Sequence, residues 1–482
     1  MTATSETTTT TTPVIPDPPR FHRLRRWSVV GGLIACLLVG LRLWWGYEAQ
    51  RRLDAMIAAA HARGELITID DFNNRPAVPD ANNAAIPLDA AAKSIKFSTT
   101  QDAFVDQFNG TLPVAPADAK ALREIVYAHR AAIAQARQAR PLTQSDYGMH
   151  VTSPVFAGLL RHLTGAGQLE QVQRLGVFDS HLAGNDAETI ELLRDIDHHM
   201  NAVAKSTPFL VTILFARYRQ TMAADLIAQL APELDVSDVK HPAATTQPAT
   251  RENVRALIDE LLDDREIRQS TQSAFELERL MYLDAGPAMA RTMRPAWLAE
   301  LLEPMYLLDS MRGAEFMAQH RIAATQPSYP AAMKVAPRAA RRIDRSGLEQ
   351  TVTAISDRFG IINRDPHLWH FRLLAARRGA AIALAIRLYA LDHDHQLPPR
   401  LQDLVPTYLP ALPADPFRAD GKTFTYHPEL TPPRLYSVGV NGVDDGGVGQ
   451  SARFFQDMTA SNKSIDLVIP ITRATTQPSA SP

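Results

Sequence analysis

The chain has a single cysteine among its 482 residues, Cys36. One thiol cannot close an intramolecular disulfide or build a cysteine zinc cluster, so neither device holds this protein together. An excess of charge of one sign is also missing. The 50 Lys and Arg stand against 52 Asp and Glu, a formal net charge of -2, and no basic surplus points to nucleic acid. There is no G-x-S-x-G, no P-loop, no G-x-G-x-x-G and no H-E-x-x-H. The plainest signatures of serine hydrolases, nucleotide binders and zincins are therefore lacking. The length exceeds one ordinary core, so two or three domains are expected.

What is present begins with a long apolar run, "WSVVGGLIACLLVGLRLWW", residues 27–45. As a helix it measures about 28 Å, close to the hydrocarbon core of a bilayer. Arg42, its one charge, is near the end and is expected to snorkel to the interface. Trp44, Trp45 and Tyr47 suit the far aromatic belt and Trp27 the near one. Arg20, Arg23, Arg25 and Arg26 precede the run, whereas Arg51 and Arg52 after it are offset by Glu48 and Asp54. The positive-inside rule predicts a single-pass protein with its N-terminus cytoplasmic and everything after Tyr47 outside the cytoplasm. A cleaved signal peptide has a shorter core and a small-residue cleavage site. A lipoprotein turns polar after its cysteine, but "LLVGL" follows Cys36.

The segment 1–26 opens on a Thr- and Pro-rich tail that is expected to be disordered and cytoplasmic, ahead of a transmembrane helix at 27–46. The same flavour returns at Ala243, at Ala323 and at the end of the chain. These places suggest a helical extracytoplasmic domain at 47–322, a linker at 323–347, an α+β domain at 348–472 and a disordered tail at 473–482. Within the first domain Leu122, Ile125, Val126, His129 and Ile133 share one helical face. Gly184 ends a helix and Asn185 or Asp186 caps the next, with Ile190, Leu193, Ile196, Met200 and Val203 as its stripe. Further helices are predicted over 207–230, 251–283 and 297–317. Residues 73–117 read as loop with one short helix at 88–95. In the second domain a helix shows one face (Leu368, Phe371, Ala375, Ile382, Ala385, Tyr389) interrupted by Arg378. Short strands are predicted from Lys422, Arg434 and Ile465.

The stretch "GQLEQVQRLGVFDSHLAGNDAETIELLRDI" resembles a tetratricopeptide-like helix–turn–helix unit, and a plain helical bundle reads the same residues as well. Further on, "LYALDHDHQLP", "LQDLVPTYLPALPADPF", "FTYH", "LYSVGVNGVDDGG" and "DLVIPI" follow in an order similar to the globular domain of the type II secretion major pseudopilin. The resemblance spans roughly residues 370–471. The chain departs from that family in lacking its Gly-Phe processing point and the early acid of its apolar helix, and its membrane segment lies far from the domain. It therefore looks like a pseudopilin-type module on a membrane-anchored helical protein, which implies a bacterial inner membrane with the bulk of the chain periplasmic; a genuine secretion-system subunit is the rival reading.

The resemblance implies a calcium ion near the "NGVDDGG" loop. The residues agree in chemistry: calcium takes six to eight oxygens, and Asn441, Asp444 and Asp445 offer three, with Asp466 reaching across from the last strand. A plain hairpin turn explains "NG" and "DDGG" equally well. The remaining polar clusters read as solvated. In "DIDHHM" the adjacent His198 and His199 point about 100° apart. "DHDH", with Asp392 and His395, suits a helix C-terminus. "REIRQSTQSAFELER" reads as an exposed, salt-bridged face. The expectation is a scaffold or interaction protein rather than an enzyme, with the bilayer and another protein as partners, linked to secretion or envelope assembly. A periplasmic hydrolase using the acids and histidines of the helical domain is the alternative.

Overall fold

The computed structural model describes residues 21–108, 110–155, 161–207, 209–238, 246–293, 295–337, 365–450 and 466–473. Residues 1–20, 474–482 and 338–364, the last with the end of the expected linker, lie outside this set; residues 21–26 of the expected disordered tail are helical, and the expected linker carries a helix at Tyr329–Val335.

Helix α1 spans Phe21–His61. Its 41 residues measure about 60 Å, twice a bilayer core. Among the described residues it is the one helix long and apolar enough to cross a membrane, a test that a signal sequence also passes. Its first half exposes Leu33, Leu37 and Leu38, whereas Ala49 and Ala60 in its second half are fully buried against the body.

The body is mostly helical. It comprises α2 (Ile69–Asn73), α3 (Ala85–Ser94), α4 (Thr99–Gln107), α5 (Pro116–Arg137), α6 (Arg161–Leu182), α7 (Asp186–Ser206), α8 (Leu210–Leu230), α9 (Arg251–Leu262), α10 (Arg265–Met293), α11 (Ala296–Ala324), α12 (Tyr329–Val335) and α13 (Pro366–Asp392). Local chemistry sets the ends. Pro116 opens α5 at a position where its missing N–H costs nothing. Asn185 caps α7 by accepting from the Glu188 N–H, after Gly184 has turned the chain at φ +70. Leu122, Ile125, His129 and Ile133 are buried on α5 as their spacing predicts.

Three expectations need correction. Residues 73–117 hold two helices rather than one, because Ser98 and Gln101 form a capping box that starts α4. The helix expected over 251–283 is broken, because the Asp263 carboxylate accepts from the Arg265 N–H and so closes a turn between α9 and α10. Nor is α10 a solvated face. Thr271, Phe275, Glu278 and Arg279 are all buried, while Arg265–Asp263, Arg268–Asp264, Glu266–Lys205 and Glu276–Arg321 pair toward the outside.

Helix α13 is the axis of the molecule. Instead of one apolar face, it buries residues all round, from Leu373 to Ala376 and from Gly379 to Ile386. Such a helix belongs in a core. It packs against α8 and α9 on one side and the sheet on the other. The sheet has the order β1-β2-β4-β3. Strand β1 (Thr425–His427) is antiparallel to β2 (Arg434–Ser437), and β2 to β4 (Asp466–Ile469). The two-residue β3 (Gly449–Gln450) runs parallel to β4 at the edge. Gly379 lets the sheet close on α13: a Cβ there would sit 2.7 Å from Ile469 Cδ1. One apolar cluster then runs without a break from Leu122 and Ile190 through Phe371 and Ile382 to Leu435 and Ile469. The sequence left open whether the helical piece and the α+β piece touch, and they share a core.

Candidate functional site

The loop that closes the sheet is built by turns that need positive φ. After Ser437 the chain bends at Gly439 (φ 64), Gly442 (φ 67), Gly446 (φ 75) and Gly447 (φ 72), conformations glycine adopts without steric cost. A side chain at Gly447 would press on the Tyr436 ring, 2.9 Å from its Cδ1. These bends bring Asn441, Asp444 and Asp445 toward β4, which carries Asp466.

The four residues play different parts. Asp444 is held by donors: Tyr436 Oη at 2.7 Å and the Gly446 N–H at 3.1 Å on one oxygen, Thr425 Oγ1 at 3.2 Å on the other. Burial alone raises its carboxyl, but the bonds from Tyr436, Gly446 and Thr425 outweigh that and hold it below the usual range. Asn441 accepts from the Val443 N–H and donates to Asp445 Oδ2, so its oxygen serves the turn. Asp466 is fully buried. One of its oxygens accepts the Gly447 N–H at 2.7 Å, and the other, Oδ1, has no close hydrogen-bond partner among the described residues. Burial pushes this carboxyl up to about 6 against bonds from the Gly447 and Asp445 N–H groups, and the charges of Asp445 and Asp444 add to the rise.

A buried carboxylate oxygen without a close donor among the described residues, within reach of the charges of two further carboxylates, fits a hard cation in chemistry. Among the described residues, however, no three acidic, histidine or cysteine side chains converge tightly enough to hold a metal ion. Backbone carbonyls and water would have to complete any shell. Residues 451–465, between β3 and β4, lie outside the described set.

Sequence reasoning missed the residue that fixes this loop. Asp415, in "LPADPF", is 1% exposed and accepts from the Phe417 N–H, Ser437 Oγ and the Val438 N–H. It ties the turn before β1 to the end of β2, where the glycine loop departs. The Asp-Pro dipeptide was the available signal, since Asp beside Pro marks a turn fastened by its own side chain.

No protein-family model matches this chain, and no curated protein or solved structure does either.

Of the two histidine clusters, "DHDH" is exposed as expected, whereas "DIDHHM" is not solvated. His199 is 1% exposed, with Nδ1 2.9 Å from Gln173 Oε1, and burial pushes it down to about 3. Asp195 is locked between Arg137 and Arg140. Polar residues on α7 face inward because α5 and α6 supply partners for them. Asp392 and His395 do end a helix, but they part there: Asp392 pairs with Arg251 and Tyr408, whereas His395 takes a left-handed turn at φ 63. An open groove of about 330 Å³ lies between α5, α6 and α7, floored by Ile133, Gly176 and Leu192 and rimmed by Arg130, Arg137 and Glu188.

Proposed function

We propose that this chain is a membrane-anchored extracytoplasmic scaffold whose C-terminal pseudopilin-like module is clamped by calcium. One observation carries the reading: α1 runs unbroken from its apolar half into contacts with the body. Ala49 and Ala60 are buried, and Arg42 donates to backbone oxygens of α11. Cleavage beyond Arg42 would remove a side chain that bonds α11. On this reading the helix is retained, and the four arginines ahead of the apolar run favour a cytoplasmic N-terminus with the body on the far side. The groove between α5, α6 and α7 suits an extended segment of a protein partner, with apolar floor and charged rim.

Calcium would be held by Asp466 and Asp445 with oxygens of the glycine loop, and Asp444 would add charge beside them. When bound it supplies a positive charge that the buried Asp466 lacks. A thermal melt of the full-length chain in detergent tests this. At free calcium about a hundredfold above the dissociation constant, stability should rise by ~2.7 kcal/mol over chelator. In Asp445→Ala/Asp466→Ala the rise should vanish. No shift in the parent protein, or an equal shift in the variant, would reject the ion.

A further inference from the structure

The contact between α1 and α11 has a direction. Arg42 Nε donates to the Leu301 carbonyl at 2.7 Å, and its guanidinium also bonds the Glu300 carbonyl. Three residues on in α1, Trp45 packs against Met305 and Tyr306. Gly46 lies against Pro304, 3.8 Å from a Cβ built there to Pro304 Cγ. Rising numbers in one helix match rising numbers in the other, so the two run side by side in the same sense. The chain before Glu300 therefore points back along the apolar half of α1.

Pro304 makes this contact specific. It lies inside α11 and has no N–H, so the Glu300 carbonyl four residues earlier loses its helical donor. That carbonyl is one that Arg42 takes up. Arg42 is thus satisfied by α11 rather than snorkelling alone, which corrects the sequence expectation. Arg42 lies three residues before Trp45, at the level expected for a bilayer interface.

The start of α11, residues 295–302, reads "PAWLAELL". Ala296 precedes Glu300 by four residues, about 6 Å along a helix, which sets it level with Leu38 of α1. Trp297 is 67% exposed and Leu301 47%, on the part of the body that runs beside the exposed Leu38. The hairpin of α10 and α11 is stiff here, because Gly286 and Gly313 let Ser310 and the Tyr282 ring come so close that no side chain would fit at either glycine. The one acid in these turns, Glu300, is exposed, and Arg291 faces Glu303 at 3.4 Å just beyond them.

We infer that the first two turns of α11 form a second membrane contact, lying in the lipid interface beside α1 with Trp297 and Leu301 against acyl chains. Tryptophan suits that depth, with its ring in hydrocarbon and its N–H toward water. The contact holds the body against the bilayer surface instead of leaving it on a single flexible tether. The inference rests on α1 being a membrane span.

Spin labels on the full-length chain in phosphatidylcholine–phosphatidylglycerol vesicles test it. In a Cys36→Ser background, Leu38→Cys reports the anchor, Trp297→Cys the hairpin and Tyr127→Cys a distant exposed site. Leu301→Cys serves in place of Trp297→Cys if that variant misfolds. Labels at 38 and 297 should collide more with oxygen than with a water-soluble nickel chelate, and the label at 127 the reverse. A label at 297 that behaves as at 127, while 38 stays in lipid, would overturn the hairpin contact and leave the anchor standing. A label at 297 shielded from both reagents would mean a protein partner there and would also overturn it. A label at 38 that meets the chelate would refute the anchor itself.

Discussion

Replacing Phe371 by alanine is expected to lower the stability of the whole body by ~3–5 kcal/mol, in one transition. Phe371 is fully buried in the second turn of α13, where it meets the Tyr329 ring at 6.0 Å between centroids. The neighbours of α13 come from both sides of the molecule: α8 and α9 belong to the helical part, and β2 and β4 to the sheet. A cavity there weakens both at once. Urea unfolding in detergent checks this with two probes, helical ellipticity and a fluorophore at Val440→Cys in the Cys36→Ser background. The two curves should coincide in parent and variant and move together. Separate midpoints, with only the sheet probe shifted by Phe371→Ala, would show two independent cores.

Glu278→Gln is expected to stabilise the protein by ~3 kcal/mol at pH 8 and hardly at all near pH 4.5. Glu278 is 3% exposed, and burial pushes it up to about 7 although the Leu210 N–H at 3.1 Å opposes this. The unfolded chain releases that proton near its ordinary value of 4.5. Between 4.5 and 7 the folded state holds a proton the unfolded state has lost, so stability falls as pH rises through this window. The amide oxygen introduced by the substitution would still accept from Leu210, without the charge. The buried pair His320 and His367, 2.8 Å apart, acts in the opposite sense. Burial holds both at about 4, below their ordinary 6.5. Their contribution is complete above 6.5 and is lost as pH falls toward 4. The two windows overlap, so the difference between variant and parent is what isolates Glu278. From denaturant midpoints between pH 4 and 8, the gain of Glu278→Gln over the parent should grow from near zero to ~3 kcal/mol, and a gain that does not change with pH would mean that Glu278 is not the group responsible.

Helices with a single buried stripe were legible in the sequence. The spacing of Leu122, Ile125 and His129 on α5, and the Gly184–Asn185 turn before α7, signal themselves because solvent contrast marks one face. Helix α13 conceals its role for the opposite reason: buried all round, it has no contrast, and Arg377 and Arg378 look like surface residues. In fact Arg377 is 3% exposed and pairs with Asp197 of α7. The same blindness covers His199, Glu278 and Arg279, whose partners come from distant segments and leave no local pattern. In the glycine loop, residue types gave the location but not the roles. Asn441 proves to be spent on its own turn, while the orphan oxygen belongs to Asp466 and the fastening to Asp415.

The account stands on α1 crossing a bilayer with the body outside. Labelling of intact spheroplasts with a membrane-impermeant maleimide tests this most directly, with Tyr127→Cys and Ser5→Cys each in the Cys36→Ser background. Position 127 should label in intact cells and position 5 only after the membrane is opened. If position 127 stays unlabelled until lysis, the body is inside and the anchored arrangement is wrong.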